Sequence, residues 1–188
     1  MKNELVYTFE RLANLLKQEA RTASTKSGLQ AVQYDALLYL SRCNRFSNTP
    51  IAVTEYLGLT KGTVSQTIKV LERKGYVTKV KDKEDKRLTH LNLTSEGAQL
   101  ISSSYPPPDF ISVLDNQSKS VQALLSNVVH QLLSEYRNAS DNRAFGECRY
   151  CIYHRQTSKG YRCSLLSQPL NDDETLKICR EFSEREVE

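Results

Sequence analysis

Four cysteines fall within the last quarter of this chain, Cys148, Cys151, Cys163 and Cys179, spaced C-x2-C-x11-C-x15-C. They constrain the fold because the segment around them cannot fold on apolar burial alone. From residue 139 to the end, aliphatic residues are sparse and no regular period emerges. A module this small needs a staple. Thiols with a two-residue first gap suit a tetrahedral site, and four of them complete one, around either Zn2+ or an iron–sulfur cluster. The one other cysteine, Cys43, lies far upstream.

The compartment bears on that chemistry. No apolar run approaches the roughly 20 residues that span a bilayer. The opening Met1-Lys2-Asn3-Glu4-Leu5 lacks the basic, apolar, small-residue order of a secretion signal. The expected location is the cytoplasm, with no membrane partner. There thiols stay reduced, and clustered cysteines favour metal or redox roles over disulfides.

Charge is unevenly placed. The net charge of +4 says little by itself. Residues 50–94, however, hold nine Lys/Arg against five Asp/Glu, so this one segment accounts for the excess. A local basic patch is the electrostatic footprint of phosphate binding.

Upstream of the cysteines the spacing predicts helices around a hairpin. Residues 4–20 set Leu5, Phe9, Leu12, Leu15 and Leu16 at helical intervals, and the polar stretch from Thr22 to Gly28 is expected to end that helix. Residues 30–42, with Val32, Tyr34, Leu37, Leu38 and Leu40, form a second. A loop from Asn44 to Pro50 leads into a short third helix over 51–58, stopped by Gly58. Thr60 then fits an N-cap and Gly75 a C-terminal stop. Between them Val64, Ile68 and Leu71 make an i, i+4, i+7 stripe for burial. The opposite face carries Gly62, Gln66, Lys69 and Arg73, flanked by Thr63 and Ser65. Small, hydrogen-bonding and basic residues on one face suit a helix that lies against DNA.

The period next changes to two. Tyr76–Val80 and Leu88–Leu93 read as the strands of a hairpin with a charged tip. Thr94 or Ser95 caps a further helix, which Tyr105-Pro106-Pro107-Pro108-Asp109 breaks. Residues 110–137 are expected to resume as one helix, with an apolar stripe from Ile111 to Leu133. Nothing later in the chain can cover so long a stripe; an oligomer interface would. Asn138 to Asn142 is a polar boundary before the cysteine segment.

Helix, turn, helix and hairpin together make a winged helix-turn-helix. Residues 30–97 go further. The helix Gln33-Tyr34-Asp35-Ala36-Leu37-Leu38-Tyr39-Leu40, the segment from Thr63 through Glu72-Arg73-Lys74-Gly75-Tyr76-Val77, and the wing Asp85-Lys86-Arg87 followed by Leu91-Asn92-Leu93-Thr94 and Gly97 resemble the multiple-antibiotic-resistance regulator (MarR) family. The resemblance implies a homodimer joined through its first and last helices, with two recognition helices in successive major grooves of near-palindromic double-stranded DNA. With the polar face of that helix in the groove, Lys61, Thr63, Ser65, Gln66, Lys69 and Arg73 are expected to face DNA. Lys86 and Arg87 would be the wing's DNA contacts, Arg87 in the minor groove, and Asp85 would brace the hairpin. A narrow minor groove concentrates negative potential, which favours arginine there. It further implies a transcriptional regulator, a repressor acting by operator occupancy, and a small aromatic or lipophilic effector held between the dimerisation helices and the DNA-binding lobe.

The cysteine segment departs from that family pattern. Its order, C-x2-C, then Cys163-Ser164-Leu165, then Cys179-Arg180-Glu181-Phe182, is similar to high-potential iron–sulfur proteins, while zinc knuckles share the first half. Tyr150, Tyr153, Tyr161 and Phe182 would wall such a centre. With four thiols available, His154 is expected at the surface. His90 is expected to face solvent or phosphate, His130 to pack within the long helix, and Cys43 to be buried and inert. No Gly-rich phosphate loop, nucleophile motif or H-E-x-x-H occurs, so an enzyme is not expected.

The expected fold is mainly α with a β-hairpin wing. It divides into an N-terminal dimerisation helix (1–28), a winged helix-turn-helix (29–97), C-terminal dimerisation helices (98–138) and a four-cysteine metal module (139–188). The expected function is DNA-binding regulation, with a metal centre that senses redox state, iron or oxygen. Two alternatives use the same residues. An iron–sulfur electron carrier would use the winged helix for protein docking and would need neither the basic helix face nor Arg87. A regulator with a structural zinc clip would be colourless.

Overall fold

Helix α1 (Lys2–Lys26) outruns its apolar stripe, in contrast to the expected stop near Thr22. The hydroxyls of Thr22, Thr25 and Ser27 donate to the carbonyls of Gln18, Arg21 and Ala23 at 3.0, 2.9 and 2.7 Å, so the polar stretch stays helical. Gly28, at φ +63°, then turns the chain into α2 (Ala31–Arg42). The computed structural model describes residues 1–139 and 144–184.

Thr49 and Thr60 cap α3 (Pro50–Leu57) and α4 (Lys61–Arg73), their hydroxyls accepting from the amides of Ala52 and Thr63. Strands β1 (Val77–Lys81) and β2 (Thr89–Leu93) pair antiparallel, from Val77 opposite Leu93 to Lys81 opposite Thr89. Thr94 caps α5 (Ser95–Ser102), and Gly97 is required there. A Cβ at Gly97 would lie 2.3 Å from the Tyr76 carbonyl oxygen. Tyr34, Tyr39, Leu37, Val53, Val64, Ile68, Leu71, Val77 and Leu91 form the fully buried centre of this winged helix.

The helix expected over 110–137 is two: α6 (Pro108–Asp115) and α7 (Lys119–Ala139). The run Asn116-Gln117-Ser118-Lys119-Ser120 has no apolar residue to bury. The Ser118 hydroxyl instead accepts the Val121 amide at 3.3 Å and opens α7. No residue of α7 is buried, and Leu124, Leu125, Val128, Val129, Leu132 and Leu133 all stand exposed. On α1, Leu5, Phe9, Leu12 and Leu15 are exposed too. Among the described residues no helix is long and apolar enough to cross a membrane.

The cysteine segment holds β3 (Gly146–Glu147), a 3-10 turn (Cys148–Tyr150), β4 (His154–Thr157), β5 (Gly160–Cys163), β6 (Gln168–Leu170), the short α8 (Asp172–Thr175) and β7 (Ile178–Cys179). Strands β4, β5 and β6 form an antiparallel meander, and β3 pairs with β7. The expected boundary at 138–142 falls partly on residues 140–143, outside the described residues. This segment packs against the winged helix. Ile178 enters the main core, and Phe145 meets Tyr39 and Tyr56 edge-on at 6.2 and 5.2 Å. The apolar surface it lacks internally is supplied by α2 and α3.

Candidate nucleic-acid interface and cysteine centre

On α4, Val64, Thr67, Ile68 and Leu71 are buried, while Lys61, Thr63, Ser65, Gln66, Lys69 and Arg73 are exposed. The amphipathic period thus leaves one polar and basic face free along the helix. The Thr60 and Thr63 hydroxyls lie 2.9 Å apart in its first turn.

Two aspartates shape the wing tip. Asp82 accepts the amides of Glu84 and Asp85, both at 2.8 Å. Those donors first, and the His90 ring next, hold its carboxyl down at about 2. Asp85 accepts the Arg87 amide at 2.9 Å. Lys86 and Arg87 remain exposed at the tip. Asp85 thus contacts the backbone of Arg87 itself, while Asp82, overlooked in the sequence, closes the turn. His90 does not face open solvent or phosphate as expected. It is half-buried, with Nδ1 2.5 Å from Asn48 Oδ1 and Nε2 3.0 Å from Asp82 Oδ2. The loop between α2 and α3 covers this part of β2, a neighbour that strand alternation alone cannot reveal.

The comparisons agree with this geometry. Residues 27–88 match the model of the MarR family. That segment spans most of the winged helix, which is similar to the MarR family there. The organic hydroperoxide resistance transcriptional regulator of Bacillus subtilis (strain 168) is 26% identical over 133 residues, covering 71% of this chain and 89% of that protein. A crystal structure of a MepR variant from a multidrug-resistant S. aureus clinical isolate superposes with a TM-score of 0.60 at 21% identity, covering 70% of this chain and 96% of that one. The S. aureus MepR–DNA complex gives 0.54 at 23% identity, covering 69% and 96%. The first of these is a transcriptional regulator, and the last is bound to DNA. Their matches leave a substantial part of this chain uncovered.

The cysteines occupy four sites in the appended segment. Cys148 opens the 3-10 turn and Cys151 caps its end, with the Cys151 amide donating to the Cys148 carbonyl at 3.0 Å. Cys163 ends β5 and Cys179 ends β7. All four are buried and outside any disulfide, as is Cys43. Cys148 and Cys163 cluster with Leu170, and Cys151 and Cys179 with Phe182. Tyr153 packs against both groups, and Tyr161 against the first. Tyr150 does not wall the thiols as expected. It is exposed, beneath the Arg149 guanidinium and 5.1 Å from the ring of His130, which is itself exposed on α7.

Burial first, and then the nearness of Cys179, Cys151 and Cys163, pushes the Cys148 thiol up to about 12. The thiols fall in two pairs, Cys148 with Cys163 and Cys151 with Cys179. The Ser183 amide approaches Cys151 Sγ at 3.5 Å, while burial pushes the Cys179 thiol up despite the opposing polar groups of Asn44, Glu181 and Ser47 beside it. The Ser183 N–H favours the thiolate that a metal needs at Cys151, whereas burial holds Cys148 and Cys179 toward the thiol. Among the described residues, however, no three His, Cys, Asp or Glu side chains stand together closely enough to hold an ion. The donor set has the chemistry of a tetrathiolate site, but its sulfurs would have to close up to share one centre. His154 is not merely a surface residue. Its Nδ1 lies 3.8 Å from Cys148 Sγ, and its ring stacks on Tyr161 at 5.0 Å.

Ion pairs invisible in the sequence fix this segment to the winged helix. Arg180 donates to both oxygens of Glu55 on α3 at 2.6 and 2.9 Å, and to Glu181 at 2.8 Å. Arg45 pairs with Glu174 and donates to the Pro169 carbonyl at 2.7 Å. An open groove of about 1700 Å³ runs between α3, the end of α7 and the cysteine segment, lined in part by Tyr56, Leu133, Phe145 and Ile178.

Proposed function

We propose that this chain is a homodimeric, sequence-specific DNA-binding regulator of transcription, a cytoplasmic repressor that acts by occupying its operator. The observation that carries this is the free face of α4, where Lys61, Thr63, Ser65, Gln66, Lys69 and Arg73 are exposed while the opposite stripe is buried. Side chains of these types read base edges and phosphates in a major groove. Arg87 at the wing tip supplies a second, minor-groove contact. The exposed stripes of α1 and α7 are the surface that a second copy covers, and two copies place two α4 helices on a near-palindromic duplex. The groove beside Tyr56 and Phe145 is where a small aromatic or lipophilic effector would lodge. Selection by the purified chain from a random-sequence duplex pool tests the reading. A near-palindromic motif is expected; recovery of no preferred duplex contradicts it.

The cysteines complete the proposal. Cys148, Cys151, Cys163 and Cys179 hold one metal centre, iron–sulfur or zinc, with the support of their burial in two pairs that share Tyr153 and of the Ser183 N–H aimed at Cys151. Such a centre supplies folding energy to a segment poor in aliphatics, and as an iron–sulfur cluster it also supplies redox sensitivity. A specific observation favours a structural role as well: Arg180, Arg45 and Ile178 pin the segment to α3, to the loop after α2 and to the main core. Protein purified without oxygen separates the versions. Brown protein bleached by single Cys→Ser changes identifies iron–sulfur. Colourless protein with one tightly held zinc per chain identifies the clip. Protein with neither metal overturns both.

A further inference from the structure

The loop between α2 and α3 is short, polar and buried. Asn44 and Ser47 are 1% and 0% exposed, and Asn48 is 9% exposed. Buried polar groups are costly unless hydrogen-bonded, so their partners define what the loop does. One set lies in the cysteine segment. The Asn44 amide donates to the Ile178 carbonyl at 2.9 Å, and the Arg180 amide donates to Ser47 Oγ at 2.8 Å. Ser47 is further held by the Tyr39 hydroxyl, which donates to its carbonyl at 2.8 Å. The other set lies in the wing. The Asn48 carbonyl accepts the Leu91 amide at 2.7 Å, its Nδ2 donates to Asn92 Oδ1 at 2.8 Å, and its Oδ1 meets His90 Nδ1 at 2.5 Å.

From His90 the contacts continue outward. Its Nε2 meets Asp82, Asp82 accepts the Glu84 and Asp85 amides, and Asp85 accepts the Arg87 amide. The ring bridges two oxygens, Asn48 Oδ1 on the loop and Asp82 Oδ2 at the wing tip. We propose that Asn48 and His90 are positioning residues of the wing, and that through Ser47 and Asn44 they couple Arg87 to the cysteine segment. This rests on the reading of Arg87 as a DNA contact. Adjacent residues of one rigid loop hold the segment on one side and the wing on the other. Movement of β7 is therefore transmitted to the wing tip through a continuous run of hydrogen bonds.

Two readouts test it on the full chain. Amide exchange at Asp85, Arg87 and Leu88 is measured for wild type, His90→Ala and Ser47→Ala. Loss of one such bond is worth about tenfold in an equilibrium, so both variants should exchange these amides roughly tenfold faster. Ser47 bonds to Arg180, Asn44 and Tyr39, so a response at the wing reports transmission. Unchanged wing exchange in folded Ser47→Ala overturns the coupling; should that variant fail to fold, Arg180→Met, whose side chain bonds Glu55 and Glu181 and no wing residue, takes its place with the same criterion. Affinity for the duplex selected by wild type is the second readout. Each variant should lose roughly tenfold on the wild-type background and nothing further on Arg87→Ala. Additive losses show that His90 does not act through Arg87 and overturn the positioning role. If wild type binds no duplex, the DNA-binding reading fails, while the exchange response still decides the coupling alone.

Discussion

Replacing Arg180 by Met should loosen the cysteine segment from α3. The guanidinium donates to both Glu55 oxygens, at 2.6 and 2.9 Å, and the two side chains are 20% and 26% exposed. An exposed ion pair contributes about 0–1 kcal/mol. Stripping one partner from a buried pair costs about 3–5 kcal/mol. Bidentate geometry with partial exposure lies between these limits, at about 2 kcal/mol, or roughly 30-fold in the docking equilibrium. Ile178 and Phe145 keep their places against the main core, so the winged helix should stay folded. Amide exchange at Asn44 reads the docked state, because that amide donates to the Ile178 carbonyl. It should quicken roughly 30-fold in Arg180→Met. Glu55→Gln should do nearly the same, and the double variant should add little. Unchanged Asn44 exchange, or fully additive effects of the two variants, would refute this reasoning.

Other expectations follow from single features. Gln66→Ala should cost about 1–3 kcal/mol of duplex affinity and relax selection at one base-pair position, read by repeating the selection with the variant. Leu125→Asp puts a charge in the exposed stripe of α7 and should yield monomer or insoluble protein; sedimentation of wild type as a stable monomer would contradict the dimer. Asp82 has its carboxyl depressed to about 2 from an ordinary 3.8. Its bracing of the wing is therefore fully present above the ordinary value and is lost as pH falls through about 2. Amide exchange at Asp85, corrected for intrinsic rate, should stay slow down to that range, and early loss near neutral pH would contradict the assignment.

Local features were legible in the sequence, and long-range ones were not. Val64, Ile68 and Leu71 announce the buried side of α4 by spacing alone, and Thr60 and Gly75 mark its ends. The same logic misplaced the end of α1, because hydroxyls at Thr22, Thr25 and Ser27 can serve their own helix as readily as break it. It also missed the break between α6 and α7, which a polar run from Asn116 to Ser120 marks only weakly. Arg180 and Glu55 stand 125 positions apart, and Arg45 and Glu174 129, so no periodicity connects them. His90 looked like an alternating wing residue because its partner Asn48 lies on a different element. The spacing of the cysteines indicated their shared neighbourhood, but not that Ile178 beside them would complete another core.

The most direct measurement is the affinity of the selected duplex as a function of salt. If α4 and the wing grip phosphates and grooves, log affinity should fall linearly with log salt, by about 0.9 per neutralised phosphate. Lys69→Ala and Arg87→Ala should each flatten the slope by about one. Binding that ignores salt, or slopes unmoved by both variants, would contradict the proposal that this chain regulates transcription by holding DNA.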